Sequence, residues 1–225
     1  MSPRSLYVTG TDTGVGKTVA SVALVRALRA HRLRVAAMKP VASGCERTVD
    51  GWRNEDALAL HAASDIGTYA QVNPYALPEA TAPQLAARAV GVRVDMDVLT
   101  AAFDALSAQA DVAVVEGAGG WLAPFDDGLE QADIARAFAL DVVLVVGVKL
   151  GCLSHARLTA RAVVADGFRL RGWIANTVDP AFDRFDDYLG LLGDALDAPR
   201  LGVLPHGASP AFASDDAARL PTLLL

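Results

Sequence analysis

Apolar positions along the chain fall into runs of two kinds. Short, almost continuous apolar runs occur at Ser5 to Thr9, "RVAAMKP" from Arg34, "DVAVVE" ending at Glu116, "DVVLVVGV" from Asp141, "LRGWIANTV" from Leu170 and "RLGVLP" from Arg200. Runs of this length without a polar face predict strands buried on both sides. Between them lie longer stretches with apolar residues at helical spacing: Thr18 to Ala30, "EDALALHAA" from Glu55, Asp95 to Ala108, "QADIARAFA" from Gln131, "SHARLTARAVVAD" from Ser154 and Phe182 to Ala195. The segment from Val72 to Pro83 carries Pro74, Pro78 and Pro83 and predicts a loop. The alternation predicts an α/β fold: one domain over residues 1–225, a mostly parallel sheet with helices on both faces. No internal repeat, low-complexity tract or linker breaks it.

Composition narrows the class. Of 225 residues, 52% are hydrophobic and 20% charged, enough to bury a substantial core. The formal net charge of -6, without a block of Lys or Arg, argues against a nucleic-acid surface. The start "MSPRSLYVTG" lacks the apolar stretch of an export leader. The longest apolar run, "LDVVLVVGV" from Leu140, is too short to span a bilayer. Cys45 and Cys152 are far apart and suit a reducing compartment. The expectation is a cytoplasmic α/β enzyme with neither nucleic acid nor membrane as partner.

Chemistry enters at "VTGTDTGVGKT", which ends at Thr18. A strand, a glycine turn and a helix in succession form a phosphate cradle. Gly14 and Gly16 let backbone N–H groups converge, and the helix that follows points its positive end at the same place. Lys17 can reach the outer phosphates, and the Thr18 hydroxyl can ligate magnesium. The common pattern, G-x-x-x-x-G-K-[ST], needs glycine at position 11. Thr11 stands there, and Gly10 is one residue early. The bland alternative is a glycine-rich turn beside a surface lysine.

In an open parallel sheet, ligands bind beyond the carboxyl ends of the strands. Those ends carry Thr11 to Thr13, Lys39 with Ser43, Glu116 with Gly117, Gly119 and Gly120, Lys149 with Gly151 and Cys152, Asn176, and Pro205 with His206. Glu116 ends "VAVVE", where P-loop enzymes place an acid near magnesium. Glu55 and Asp56 both fall in the first turn of a helix, where an acid simply complements the dipole, and spacing does not choose between them. Lys39 reads equally as an exposed lysine or a site residue. His155 and His206 have no partners at metal-ligand spacing.

Taken together, "VTGTDTGVGKTVAS", "KPVASG", "RNEDALAL", "VNPY", "VEGAGGW", "VVGVKLGC" and "GWIAN" resemble the dethiobiotin synthetase family, in order, to about Asn176. The shifted first glycine is that family's own pattern, G-T-D-T-x-V-G-K-T. The resemblance implies an ATP- and Mg2+-dependent ligase of biotin synthesis. Its substrates are ATP, CO2 and 7,8-diaminopelargonic acid, joined through a carbamate and a carbamic-phosphoric anhydride. It implies that Lys39 is catalytic and that Thr18, Asp56 and Glu116 hold the metal. It places ATP on Gly14, Val15, Gly16, Lys17, Thr18, Val19, Asp56, Glu116, Gly117, Ala118 and Gly119. Asn176, Thr177, Pro205, His206 and Gly207 would surround the base. Thr13 and Ser43 would contact the reacting end of the substrate. Gly151, Cys152, Ser154 and Tyr188 would receive its carboxylate across a homodimer interface. Some relatives carry Asn where Ser154 stands, and Ser caps a helix equally well.

Two rivals share the fold. A partner-switching ATPase of the MinD/ParA type carries a signature lysine at the position of Thr11, and the tail "DDAARLPTLLL" lacks the basic residues of a membrane-binding helix. An amide synthase of the cobyrinic type needs a glutaminase domain for which this chain has no room.

Overall fold

The structure, a computed structural model, describes residues 5–224. The reading that "MSPRSLYVTG" lacks the apolar stretch of a leader falls in part, at Met1 to Arg4, outside the described residues. In chain order the elements are β1 (Leu6–Gly10), α1 (Lys17–Ala30), β2 (Val35–Met38), β3 (Val41–Ala42), β4 (Glu46–Thr48), β5 (Gly51–Arg53), α2 (Glu55–Ser64), α3 (Tyr69–Val72), β6 (Tyr75–Ala76) and α4 (Pro83–Ala89). Then come α5 (Met96–Ser107), β7 (Val112–Glu116), β8 (Pro124–Asp126), β9 (Leu129–Glu130), α6 (Gln131–Ala137), β10 (Asp141–Gly147), α7 (Cys152–Ala165), β11 (Leu170–Asn176), α8 (Phe185–Ala195), β12 (Arg200–Leu204) and α9 (Ser214–Leu224).

Six strands form one sheet in the order β12-β11-β10-β1-β7-β2. Every pairing in it is parallel. The chain leaves β1 toward one edge, through β2 and β7, and returns to build the other half with β10, β11 and β12. The switch point therefore lies at β1, and the loop after β1 opens at the carboxyl end of the sheet.

The strand period of two divides the core between the faces. Leu6, Val8, Val35, Ala37, Val143 and Val145 pack on one face, against Ala20, Leu24 and Leu28 of α1 and Leu220 of α9. Tyr7, Ala36, Met38 and Val142 face the other way, toward Leu99, Phe103 and Leu106 of α5 and Ile134 of α6. Leu144, Val146 and Trp173 continue that second face under α7 and α8. Both faces are covered, which is why these strands show no polar alternation. No described helix is long and apolar enough to cross a membrane.

The chain departs from the sequence expectation in several places. Val72 to Pro83 is not all loop. Its start closes α3, Tyr75–Ala76 pairs in parallel with β3, and Pro83 begins α4. Proline breaks a helix interior but suits the first helical position, where its missing N–H has no partner anyway. The helix expected from Phe182 begins at Phe185. Ser154 is not a cap. Gly151 takes that position with φ of 92°, α7 starts at Cys152, and Ser154 stands exposed in the first turn. The short hairpins β4–β5 and β8–β9 and the terminal helix α9 were not expected.

Candidate active site

The loop between β1 and α1 carries out the turn that the glycines predict. Gly14 and Gly16 have φ of 74° and 87°, a region that side chains rarely tolerate. Gly16 is the N-cap of α1 and makes no side-chain cap, so the first N–H groups of α1 face the loop. Val15 is buried. The Lys17 ammonium donates to the Asp12 carbonyl at 2.9 Å and so crosses the loop. Burial first, and the positive charge of Lys39 second, push Lys17 down to about 8.

Beside this loop three strand and helix ends meet. Lys39 follows β2, Glu116 ends β7, and Asp56 lies in the first turn of α2. The Lys39 Nζ donates to Glu116 Oε1 at 2.6 Å, to Asp56 Oδ2 at 3.1 Å and to the Gly117 carbonyl at 3.4 Å. The Thr18 hydroxyl donates to the same Glu116 Oε1 at 2.8 Å. Burial disfavours the Lys39 charge, but Glu116 and then Asp56 outweigh it, and the group is held above its ordinary range. Burial pushes Asp56 up, yet Lys39 and the Thr18 hydroxyl outweigh it, and Asp56 sits below the usual carboxylate range. Lys39 is thus a buried, paired cation and not the exposed lysine of the alternative reading. Asp56 reaches Lys39, while Glu55 is exposed.

Glu116 is fully buried, and its Oε2 has no hydrogen-bond partner among the described residues. A buried carboxylate oxygen is costly unless something positive or hydrogen-bonding meets it. With the Thr18 hydroxyl and Asp56 close by, the donors are all hard oxygens. That set suits Mg2+, which takes one or two carboxylates together with phosphate oxygens. The residues present fit the metal.

A cleft of about 370 Å³ lies over these groups. Thr13, Gly14, Gly16, Lys17, Thr18, Val19, Lys39, Ser43, Asp56, Glu116, Ala118 and Gly119 line it, with Ala42 and Asn54. Asn54 escaped the sequence reading. It caps α2 by accepting from Ala57 N at 3.2 Å, and an Asn directly before an acidic first turn is the signal for that role. A second hollow of about 500 Å³ shares Thr13, Ser43, Ala118 and Gly119 and extends along Ala80 to Pro83 and Ala123 to Pro124. The two hollows are neighbours with that wall in common: the first is polar and charged, the second lined largely by small apolar side chains.

Asn176 and Thr177 meet Pro205 to Gly207 where β11 and β12 end. Thr177 N donates to the Leu204 carbonyl at 2.9 Å, and His206 Nδ1 lies 3.2 Å from the Thr177 carbonyl. Asn176 does not bond its own backbone. Its Nδ2 donates to the Val15 carbonyl at 2.9 Å and ties this corner to the phosphate loop. Gly151, Cys152, Ser154 and Tyr188 do not line the cleft. Cys152 is a core side chain, and Tyr188 stacks edge-on with Phe182 at 4.9 Å. Ala118 lines the cleft, but its N–H is engaged by Gln131 Oε1 at 3.1 Å.

A family model described as an AAA domain matches residues 4–209. The ATP-dependent dethiobiotin synthetase BioD of Xanthomonas oryzae pv. oryzae (strain PXO99A) is 58% identical over 206 residues, covering 91% of this chain and 92% of that protein. The protein of the same description from Xylella fastidiosa (strain 9a5c) is 54% identical over 215 residues, covering 94% and 95%. Among solved structures, the MinD cell division protein of Aquifex aeolicus superposes with a TM-score of 0.57 at 15% identity, covering 97% of both chains. A ParA family ATPase of Chlorobium tepidum TLS gives 0.55 at 13% identity, covering 98% of this chain and 90% of that one. At such identities the structural likeness speaks for the P-loop fold alone.

Proposed function

The chain belongs to the ATP-dependent dethiobiotin synthetase family, and from that premise we propose how its own residues carry out the reaction. The family's role is an ATP-dependent ligation in biotin synthesis. The observation that carries the residue assignment is the meeting of Lys39, Glu116, Asp56 and Thr18 directly beside the phosphate loop.

One amine of 7,8-diaminopelargonic acid attacks CO2. A C–N bond forms, the nitrogen loses a proton, and a carbamate results. A carbamate oxygen then attacks the γ-phosphorus of ATP, and the bond to the ADP oxygen breaks. The second amine attacks the carbamoyl carbon. The C–O bond to phosphate breaks, that nitrogen loses a proton, and the cyclic urea closes with release of phosphate.

The residues have separable parts in this sequence. Gly14 to Val19 hold the triphosphate through backbone N–H groups and the helix start, with Lys17 on its outer oxygens. Thr18, Asp56 and Glu116 hold Mg2+, which neutralises phosphate charge when bound. Lys39 is the catalytic cation. Its ammonium stands among acids on the floor of the cleft, where it would stabilise the anionic carbamate and the transferring phosphoryl group. Thr13 and Ser43 position the diamine end, in the wall that the two hollows share. The small-residue hollow suits a methylene chain. Gly117 to Gly119 keep the backbone low along the groove. Asn176 Oδ1 is an acceptor for the adenine amine, with Thr177 and the backbone of Pro205 to Gly207 around the base.

The carboxylate site lies across a homodimer in this reading. The start of α7 at Gly151, Cys152 and Ser154 carries no side-chain cap; the Cys152 N–H donates to the Lys149 carbonyl at 3.1 Å, and the N–H groups that follow it suit a carboxylate. These residues and Tyr188 do not line this chain's own cleft, and Leu150 before α7, Leu158 of α7 and Leu191 of α8 are exposed. Both facts support service to a partner's cleft. Light scattering tests the dimer, with an active monomer of 23.5 kDa as the adverse result. Following dethiobiotin and ADP while each substrate is omitted tests the reaction.

A further inference from the structure

We propose that Tyr7 and Gln131 are positioning residues for Lys39, acting through the peptide between Gly117 and Ala118. The two atoms at issue belong to one peptide plane. Its carbonyl, on Gly117, accepts from Lys39 Nζ at 3.4 Å. Its N–H, on Ala118, donates to Gln131 Oε1 at 3.1 Å. Holding the N–H toward Gln131 fixes the carbonyl toward Lys39, because the peptide is planar and turns as a unit. Gly117 supplies no side chain to hold the plane. A Cβ there would fall 2.4 Å from the Tyr7 hydroxyl and 3.1 Å from Gln131 Oε1, so the loop backbone rests directly on this pair.

Gln131 is in turn fixed from below. The Tyr7 hydroxyl, fully buried in β1, donates to Gln131 Oε1 at 2.7 Å. Burial first, and the charge of Glu116 second, push that hydroxyl up, so it stays a donor. Gln131 Oε1 thus receives two donors. Its Nε2 is buried and has no partner among the described residues. The unpaired amide nitrogen is a cost to folding, set against the two donors that its oxygen satisfies. What the side chain supplies is its oxygen, which holds the Ala118 N–H while the Tyr7 hydroxyl holds that oxygen.

The proposal rests on Lys39 being the cation at the reacting end. The test compares dethiobiotin formation and melting temperature for Gln131→Met, Tyr7→Phe, the double variant and Lys39→Ala. Gln131→Met keeps length and loses the acceptor. Misplacing a catalytic group by a fraction of an ångström costs rate and not binding, so kcat should fall about 10-fold with the KM for ATP within about twofold. Its melting temperature should fall, because the buried Tyr7 hydroxyl and the Ala118 N–H lose their acceptor, and removing that hydroxyl in the double variant should restore part of the stability without restoring kcat. Tyr7→Phe should lower kcat less, and the double variant should fall no further than Gln131→Met, since Tyr7 acts through Gln131. A kcat within about twofold of the parent, a kcat that recovers together with the melting temperature in the double variant, or additive losses there would overturn the proposal. A Lys39→Ala enzyme with near-normal kcat sinks the underlying reading instead. A crippled Lys39→Ala beside a normal Gln131→Met sinks only this inference.

Discussion

Glu116 Oε1 accepts from both the Lys39 ammonium, at 2.6 Å, and the Thr18 hydroxyl, at 2.8 Å. One carboxylate thus links the helix start that cradles phosphate to the strand end that carries the cation. Each of its partners bears on a separable step.

Lys39→Ala removes a charge whose value grows as phosphoryl transfer proceeds. Losing one such preorganised group costs roughly 10²–10³ in kcat. The KM for ATP should change far less, because Lys17 and the loop still bind the triphosphate. Steady-state kinetics check this, and a near-normal kcat removes Lys39 from the chemistry.

Glu116→Gln keeps the shape and discards the charge. The Mg2+ concentration for half-maximal rate should rise at least about 10-fold, since a neutral amide is a poor ligand for a hard dication. Chelation of divalent ions should abolish turnover of the parent enzyme. A magnesium titration of the variant that overlays the parent's places the metal elsewhere.

Asn176→Ala removes the observed bond to the Val15 carbonyl and, in the proposed reading, a contact with the base. Loss of the Val15 contact weakens every nucleotide. Loss of the base contact, one neutral hydrogen bond, weakens ATP further by about 2–10-fold relative to CTP. The ratio of kcat/KM for ATP and CTP reads the second effect alone. An unchanged ratio moves base reading to the backbone around Pro205.

Gly172→Ala tests the sheet and not the site. A Cβ there would stand 2.6 Å from a Leu201 side-chain carbon and 2.8 Å from the Pro199 carbonyl. The backbone oxygen cannot swing away, so overpacking should cost about 1–3 kcal/mol. Denaturant unfolding measures it, and a parent-like midpoint means that β12 slides to make room.

The site was legible in the sequence to differing depths. The loop at Gly14 to Thr18 was plain, because glycines, lysine and hydroxyl stand between a strand and a helix for one chemical reason. Lys39 and Glu116 were visible as polar residues ending apolar runs, but their contact was not: it joins positions 77 residues apart. Glu55 and Asp56 occupy the same helical turn, and only the packing of α2 against β2 turns one of them toward Lys39. Tyr7 and Gln131 carried no signal. One lies inside a strand and the other at a helix start, and both fit those places without any functional reason. The hairpin β4–β5 was missed because its residues are exposed or half-buried and show no apolar alternation. Pro83 misled because proline marks both a loop and the first turn of a helix.

The most direct test follows ADP release while the diamine, dissolved CO2 and Mg2+ are each left out. In the proposed reaction the phosphoryl acceptor is a carbamate, so ADP should appear only when all three are present, in step with dethiobiotin. Brisk ADP release without the diamine would contradict a carbamate acceptor and point to water, as in a switching ATPase of the same fold.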